Sequence, residues 1–87
     1  MGQLYSISMT TENALRVLQR IASIFSRNRI NIEQLNVFET KTVGLSHFHV
    51  VIYSEPKAID NLIKQLGKMI ELREVHVHTA FSSMDKA

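Results

Sequence analysis

The chain has no cysteine and no tryptophan, and only one proline and three glycines among its 87 residues. Without cysteine it can form neither a disulfide framework nor a thiolate metal site, which suits a reducing cytoplasm. Its glycines, Gly2, Gly44 and Gly67, are too scattered to form a phosphate-binding loop. The sequence also lacks a run of about 18 apolar residues, so it predicts no membrane span. Its first residues do not resemble a secretory signal.

The chain has no large excess of charge of either sign. Ten Lys and Arg against eight Asp and Glu give a formal net charge of +2, and the charges are interspersed along the chain. Because no basic block is available to follow a phosphate backbone, the composition does not favour nucleic acid. Neither a cysteine nucleophile nor a Gly-x-Ser-x-Gly turn occurs, so nothing indicates an enzyme active site.

The first half of the chain shows a strand pattern followed by a helix pattern. Residues 4–9 alternate and predict a half-buried strand, after which Thr10 and Thr11 are expected to cap a helix. The helix pattern begins at Ala14, and a left-handed residue is expected near its end at 28–29. The apolar residues expected on its buried stripe are Leu15, Val17, Leu18, Ile21, Ala22, Ile24 and Phe25.

The next apolar segments alternate again. Residues 30–39 predict a second strand, with a β-bulge near Glu33 or Gln34 because the apolar positions change there from even to odd numbers. Residues 40–44 are expected to form a turn, and residues 45–53 predict a third strand.

The last part of the chain completes the pattern. Pro56 is expected in the first turn of a second helix, and residues 72–79 predict a final strand. The second helix is expected to bury Ile59, Leu62, Ile63, Leu66, Met69 and Ile70. The βαββαβ order predicts an α+β, ferredoxin-like fold, with two helices on one face of an antiparallel sheet of strand order 4-1-3-2. One domain is expected over 1–79 and a flexible tail over 80–87.

Four histidines form the one constellation that suggests metal chemistry. His47 and His49 lie two apart on the third strand, and His76 and His78 lie two apart on the last, so both pairs are expected on the open face of the sheet. Two histidines on one strand can share zinc or nickel. A metal-binding module is therefore one hypothesis, although the first strand should separate the pairs. The same face offers no aromatic platform for stacking bases, so RNA recognition is not favoured.

Three segments resemble a known family. Residues 11–18 read Thr-Glu-Asn-Ala-Leu-Arg-Val-Leu, and residues 24–35 end in Asn-Ile-Glu-Gln-Leu. Both resemble the ACT domain of acetolactate (acetohydroxyacid) synthase small subunits. Residues 59–77 resemble the later pattern of that domain, including Lys-Gln-Leu-Gly-Lys at 64–68. The likeness covers roughly residues 4–79 and implies an ACT domain in a short, single-domain form.

The resemblance implies a noncatalytic regulatory subunit for branched-chain amino-acid biosynthesis. Such subunits bind and activate a large catalytic subunit that uses thiamine diphosphate, Mg²⁺ and FAD, while the small subunit itself holds no cofactor. They commonly form homodimers through the edges of their ACT sheets. Here the second strand is the expected edge, because it has no Pro or Lys to prevent pairing. A free-standing ACT amino-acid sensor that controls another enzyme or transcription is the alternative.

The resemblance also places an amino-acid effector at the dimer interface, against the loop after the first strand. The matching residues are Glu12, Asn13, Arg16, Asn31 and Ile32. A helix start can receive a carboxylate, and asparagine supplies both donors and acceptors. Family members that respond to an amino acid usually have Gly where this chain has Arg16, because Gly lets the backbone approach a ligand. We therefore predict an activating subunit with weak or absent sensitivity to valine.

Overall fold

The computed structural model describes residues 2–79 and contains, within that range, four strands and two helices. They are β1 (Gln3–Glu12), α1 (Ala14–Arg27), β2 (Asn31–Glu39), β3 (Leu45–Ser54), α2 (Pro56–Leu66) and β4 (Leu72–Thr79). The predicted βαββαβ order is therefore confirmed. None of the helices in residues 2–79 is long and apolar enough to cross a membrane. The tail expected over 80–87 lies outside the described residues.

The strands form one antiparallel sheet in the order β2-β3-β1-β4, which confirms the predicted topology. The central strands β1 and β3 pair along their full length, and β2 and β4 form the two edges. The pairing register of β2 with β3 shifts between Ile32 and Gln34, which confirms the predicted bulge. Because a bulge adds one residue, Leu35 and Val37 face the same side of the sheet as Ile32.

The start of α1 differs from the prediction. Thr10 and Thr11 lie inside β1, and Thr11 is fully buried. The prediction that they cap the helix is wrong, because pairing with β3 carries the strand on to Glu12. The residue before the helix is Asn13, which adopts a left-handed conformation (φ 52°) and makes no side-chain capping bond. Asparagine is among the few residues that tolerate this conformation.

The core lies between the sheet and the helices. α1 buries Val17, Ile21, Ile24 and Phe25, as predicted. Leu15 and Ala22 are exposed, however, so their predicted burial is wrong. At about 100° per residue, both lie roughly 140–160° around the helix from Val17, and therefore away from the sheet. The left-handed residue expected after α1 is confirmed at Arg29, which has φ 56°.

The second helix ends before the helical spacing of apolar residues does. It begins with Pro56 at its first position, as predicted, and ends at Leu66. Met69 and Ile70 therefore lie in the turn before β4, where Met69 is buried and Ile70 is 91% exposed. The predicted burial of Ile70 is wrong, because the chain leaves the helix before that residue.

The edge strand β2 is left largely uncovered. Each of its nine residues is exposed. Ile32, Leu35 and Val37 lie opposite the buried residues of β3, yet they are 36%, 38% and 40% exposed. An apolar strip beside a free strand edge is typical of a surface that pairs with another chain.

Candidate functional site

The loop between β1 and α1 places Asn13 at the rim of an open cavity of about 530 Å³. The cavity is lined by Asn13, Leu15, Arg16, Gln19, Arg20 and Ser23. Asn13 caps α1 through its backbone only. Among the described residues, its side-chain amide has no hydrogen-bond partner. The left-handed backbone thus holds an amide ready to both donate to and accept from a ligand.

Arg16 is engaged in an ion pair. Its Nε lies 3.6 Å from Oε2 of Glu71, whose side chain is 10% exposed. Within residues 2–79, the other oxygen of Glu71 has no hydrogen-bond partner. The Arg16 side chain is 66% exposed, but it is the cation beside a nearly buried carboxylate, so Arg16 has a structural role in addition to any role toward a ligand. The role of Glu71 is not predicted from the sequence, where the only signal is one acidic residue between the apolar Ile70 and Leu72.

Glu12 also has partners within the chain. Its carboxylate forms an ion pair with Arg73 on β4. Its backbone N–H donates to the carbonyl of Glu71 across 2.8 Å. Glu12 therefore joins the end of β1 to the start of β4, and it does not line the cavity that Asn13 lines.

Asn31 and Ile32 lie at the other end of the sheet. Glu12 is opposite Leu45 on β3, whereas Asn31 is opposite Tyr53. These two positions on β3 are eight residues apart, which corresponds to about 27 Å along the strand. The Asn31 amide donates to the carboxylate of Glu33 across 2.5 Å. A single chain therefore brings Asn13 and Arg16 together but leaves Asn31 and Ile32 far from them.

The four histidines lie on the open face of the sheet, with β1 between the two pairs. Ser8 on β1 is opposite both His49 and His76. His49 shares a hydrogen bond of 2.9 Å with the hydroxyl of Ser6. Across residues 2–79, no three His, Cys, Asp or Glu side chains come close enough to hold a metal ion. The metal-binding hypothesis gains no support from this arrangement.

Four antiparallel strands in this order, with two helices on one face, define an ACT-type, ferredoxin-like domain. The chain belongs to the AHAS small subunit-like ACT domain family, whose model matches residues 7–74. It is 38% identical over 71 residues to a probable acetolactate synthase small subunit from Archaeoglobus fulgidus. It is 36% identical over 70 residues to the acetolactate synthase small subunit of Bacillus subtilis.

A solved structure gives the same result. The acetolactate synthase small subunit from Thermotoga maritima superposes with a TM-score of 0.74 at 29% identity, over 86% of this chain and 47% of that one. The aligned parts are 82% of this chain and 45% of the Archaeoglobus relative, and 79% of this chain and 41% of the Bacillus relative. The chain thus spans less than half the length of these relatives.

Proposed function

We propose that this chain is a noncatalytic regulatory subunit that binds and activates the catalytic subunit of an acetolactate synthase in the cytoplasm, with residues 1–79 as its regulatory domain. The observation that carries the proposal is the small-subunit family match over residues 7–74, which includes both halves of the fold. Fold alone would not suffice, because one fold hosts unrelated functions. Small-subunit relatives suggest that the chain itself holds no cofactor, and we expect thiamine diphosphate, Mg²⁺ and FAD on the catalytic partner.

Co-purification tests this proposal. The tagged chain, expressed in its native host, should retain a large thiamine-diphosphate enzyme through a gel-filtration step. If it instead elutes alone and binds an amino acid by calorimetry, the chain is a free-standing sensor and the proposal is wrong.

The proposed subunit is a homodimer joined through β2. Two features support this dimer. The first is the free edge of β2. The second is the apolar strip formed by Ile32, Leu35 and Val37, which the helices leave partly exposed. Antiparallel pairing of two β2 strands would extend the sheet from four to eight strands and cover that strip. The twofold axis would then run perpendicular to the sheet, so both helix layers would lie on the same face.

Such a dimer would assemble the effector residues that one chain keeps apart. The twofold axis reverses the direction of β2, so the start of one β2 lies beside the end of the other. Glu39, at the end of β2, and Thr11, near the end of β1, are both opposite Ser46. The partner's Asn31 and Ile32 would therefore approach the end of the sheet that carries Asn13. We propose a composite effector site in which Asn13 and the partner's Asn31 bind the amino and carboxylate groups of an amino acid.

Arg16 determines the predicted sensitivity to valine. We expect weak or absent inhibition by valine in the unmodified complex, because a guanidinium replaces the Gly that lets the backbone approach a ligand. Arg16→Gly would leave Glu71 unpaired, so the informative variant is Arg16→Gly combined with Glu71→Gln. It should lower the valine concentration for half-inhibition about tenfold, which corresponds to 1.4 kcal/mol of binding.

Two further variants serve as controls for this measurement. Asn13→Gly keeps the left-handed backbone, since glycine adopts positive φ readily, but removes the amide, so it should abolish the gained sensitivity. Glu71→Gln alone should leave the valine response of the complex unchanged. Strong valine inhibition of the unmodified complex would contradict the prediction.

A further inference from the structure

A second open cleft lies between α1 and α2 and has a volume of about 470 Å³. It is lined by Arg20, Ile24, Arg27, Asn28, Asn61, Gln65 and Lys68. Three of these residues are cationic and none is acidic. The cleft is separate from the candidate effector site: it shares only Arg20 with the Asn13 cavity.

The floor of the cleft is a fixed cluster of side-chain amides. The Asn28 amide donates to the carbonyl of Ile24 across 2.7 Å and to Oε1 of Gln65 across 3.2 Å. Its oxygen accepts from Asn61 at 3.0 Å and from Gln65 at 3.4 Å. These bonds connect Asn28, which caps the end of α1, to the second half of α2. Asn61 and Gln65 each keep an N–H that no described partner accepts, so the floor also presents donors.

The cations around this floor are left unpaired. Elsewhere in the chain, Arg16 pairs with Glu71 and Arg73 pairs with Glu12. In the described part of the chain, by contrast, Arg20, Arg27 and Lys68 form no ion pair. α1 contains three arginines and no acidic residue, so neither Arg20 nor Arg27 has a compensating charge on its own helix. An anion in the cleft would therefore meet cations that no carboxylate of the described residues neutralises.

We propose that this cleft docks an acidic segment of the acetolactate synthase catalytic subunit, an inference that rests on the proposed function. The cleft complements negative charge with three cations and free amide donors. Single-stranded nucleic acid is disfavoured, because no aromatic side chain lines the cleft to stack a base.

The dimer proposed above would make this docking bivalent. With both helix layers on one face of the eight-stranded sheet, the two basic clefts would point toward the same side. Two linked contacts raise the effective concentration of the second contact, so the overall affinity exceeds that of either cleft alone.

The test uses the full chain and the catalytic subunit from the same genome. Arg20→Glu combined with Lys68→Glu reverses two exposed charges of the cleft without touching the core. Lys41→Glu, a single charge reversal on the exposed turn between β2 and β3, is the control for a surface charge outside the cleft. Binding is measured by biolayer interferometry at several salt concentrations. We expect the cleft variant to bind about tenfold or more weakly, since like charges facing each other across an interface are strongly unfavourable.

A graded series distinguishes docking from a structural effect. Arg20→Gln combined with Lys68→Gln should weaken binding less than the double reversal, and it should flatten the salt dependence that the unmodified chain shows. Circular dichroism should show unchanged folding in both. Equal loss in Lys41→Glu, or no loss in the cleft variants, overturns the docking inference while the proposed function stands.

Two other outcomes would overturn the inference in different ways. Absence of binding by the unmodified chain overturns the proposed function and the docking inference together. Tight binding of a labelled single-stranded RNA that is lost in the cleft variants would assign the cleft to nucleic acid instead.

Discussion

The doubly substituted chain Leu35→Lys/Val37→Lys is expected to sediment as a monomer at concentrations where the unmodified chain is a dimer. Both residues lie on the apolar strip of β2 and are 38% and 40% exposed, so a lysine at either position can extend its ammonium group into solvent in the monomer. In the proposed dimer the substitutions would place four added positive charges in one small, partly buried interface. The cost of burying unpaired charge greatly exceeds the gain from strand pairing.

Val43→Lys is the control for this measurement. Val43 is 95% exposed on the turn between β2 and β3, outside the proposed interface, so its variant should remain dimeric. Sedimentation equilibrium at micromolar concentration reports the mass directly. A monomeric mass for the unmodified chain would contradict dimerisation, and a dimeric mass for the doubly substituted chain would exclude β2 as its interface.

Replacing Phe48 by alanine is expected to destabilise the domain by about 3–5 kcal/mol. Phe48 is fully buried on β3, a central strand, where it lies opposite Met9 and Val37. The substitution removes buried apolar surface and leaves a cavity that the surrounding strands fill only in part. A chain of this size has a total unfolding free energy of about 5–15 kcal/mol, so the substitution should remove a large share of its stability.

Phe38→Ala is the matched control for Phe48→Ala. Phe38 is 55% exposed on β2 and contacts the ring of His47, so its loss should cost less than about 1 kcal/mol. Urea denaturation followed by circular dichroism measures both variants. Equal destabilisation by the two substitutions would contradict the assigned core.

Most of the fold could be predicted because its signals are local. Apolar alternation, the helical period of α1, Pro56 and the change of parity near Glu33 each depend on neighbouring residues, and the structure confirms them. The buried stripe of α1 is confirmed only in part, because Leu15 and Ala22 are exposed. The errors occur where long-range contacts decide. Pairing with β3 extends β1 through Thr11, which displaces the expected helix cap. Ile70 continues a helical pattern, but the chain has already turned toward β4.

The candidate site was harder to predict for the same reason. Asn13 and Arg16 are close in sequence, and the structure brings them to one cavity. The partner of Arg16 is Glu71, which no local pattern connects to it. Asn31 and Asn13 lie at opposite ends of the sheet because of the directions of β1 and β2, so only a second chain could bring such residues close together. The basic cleft combines Arg20 with Lys68 through helix packing, although their charges look evenly interspersed along the sequence.

The most direct test of the central claim is a titration of the catalytic subunit with this chain. Acetolactate formation is measured with pyruvate, thiamine diphosphate, Mg²⁺ and FAD in excess, at a fixed concentration of catalytic subunit. A regulatory subunit predicts that the rate rises several-fold and then saturates as the chain is added. A rate that stays constant up to a large molar excess of the folded chain would contradict the assignment.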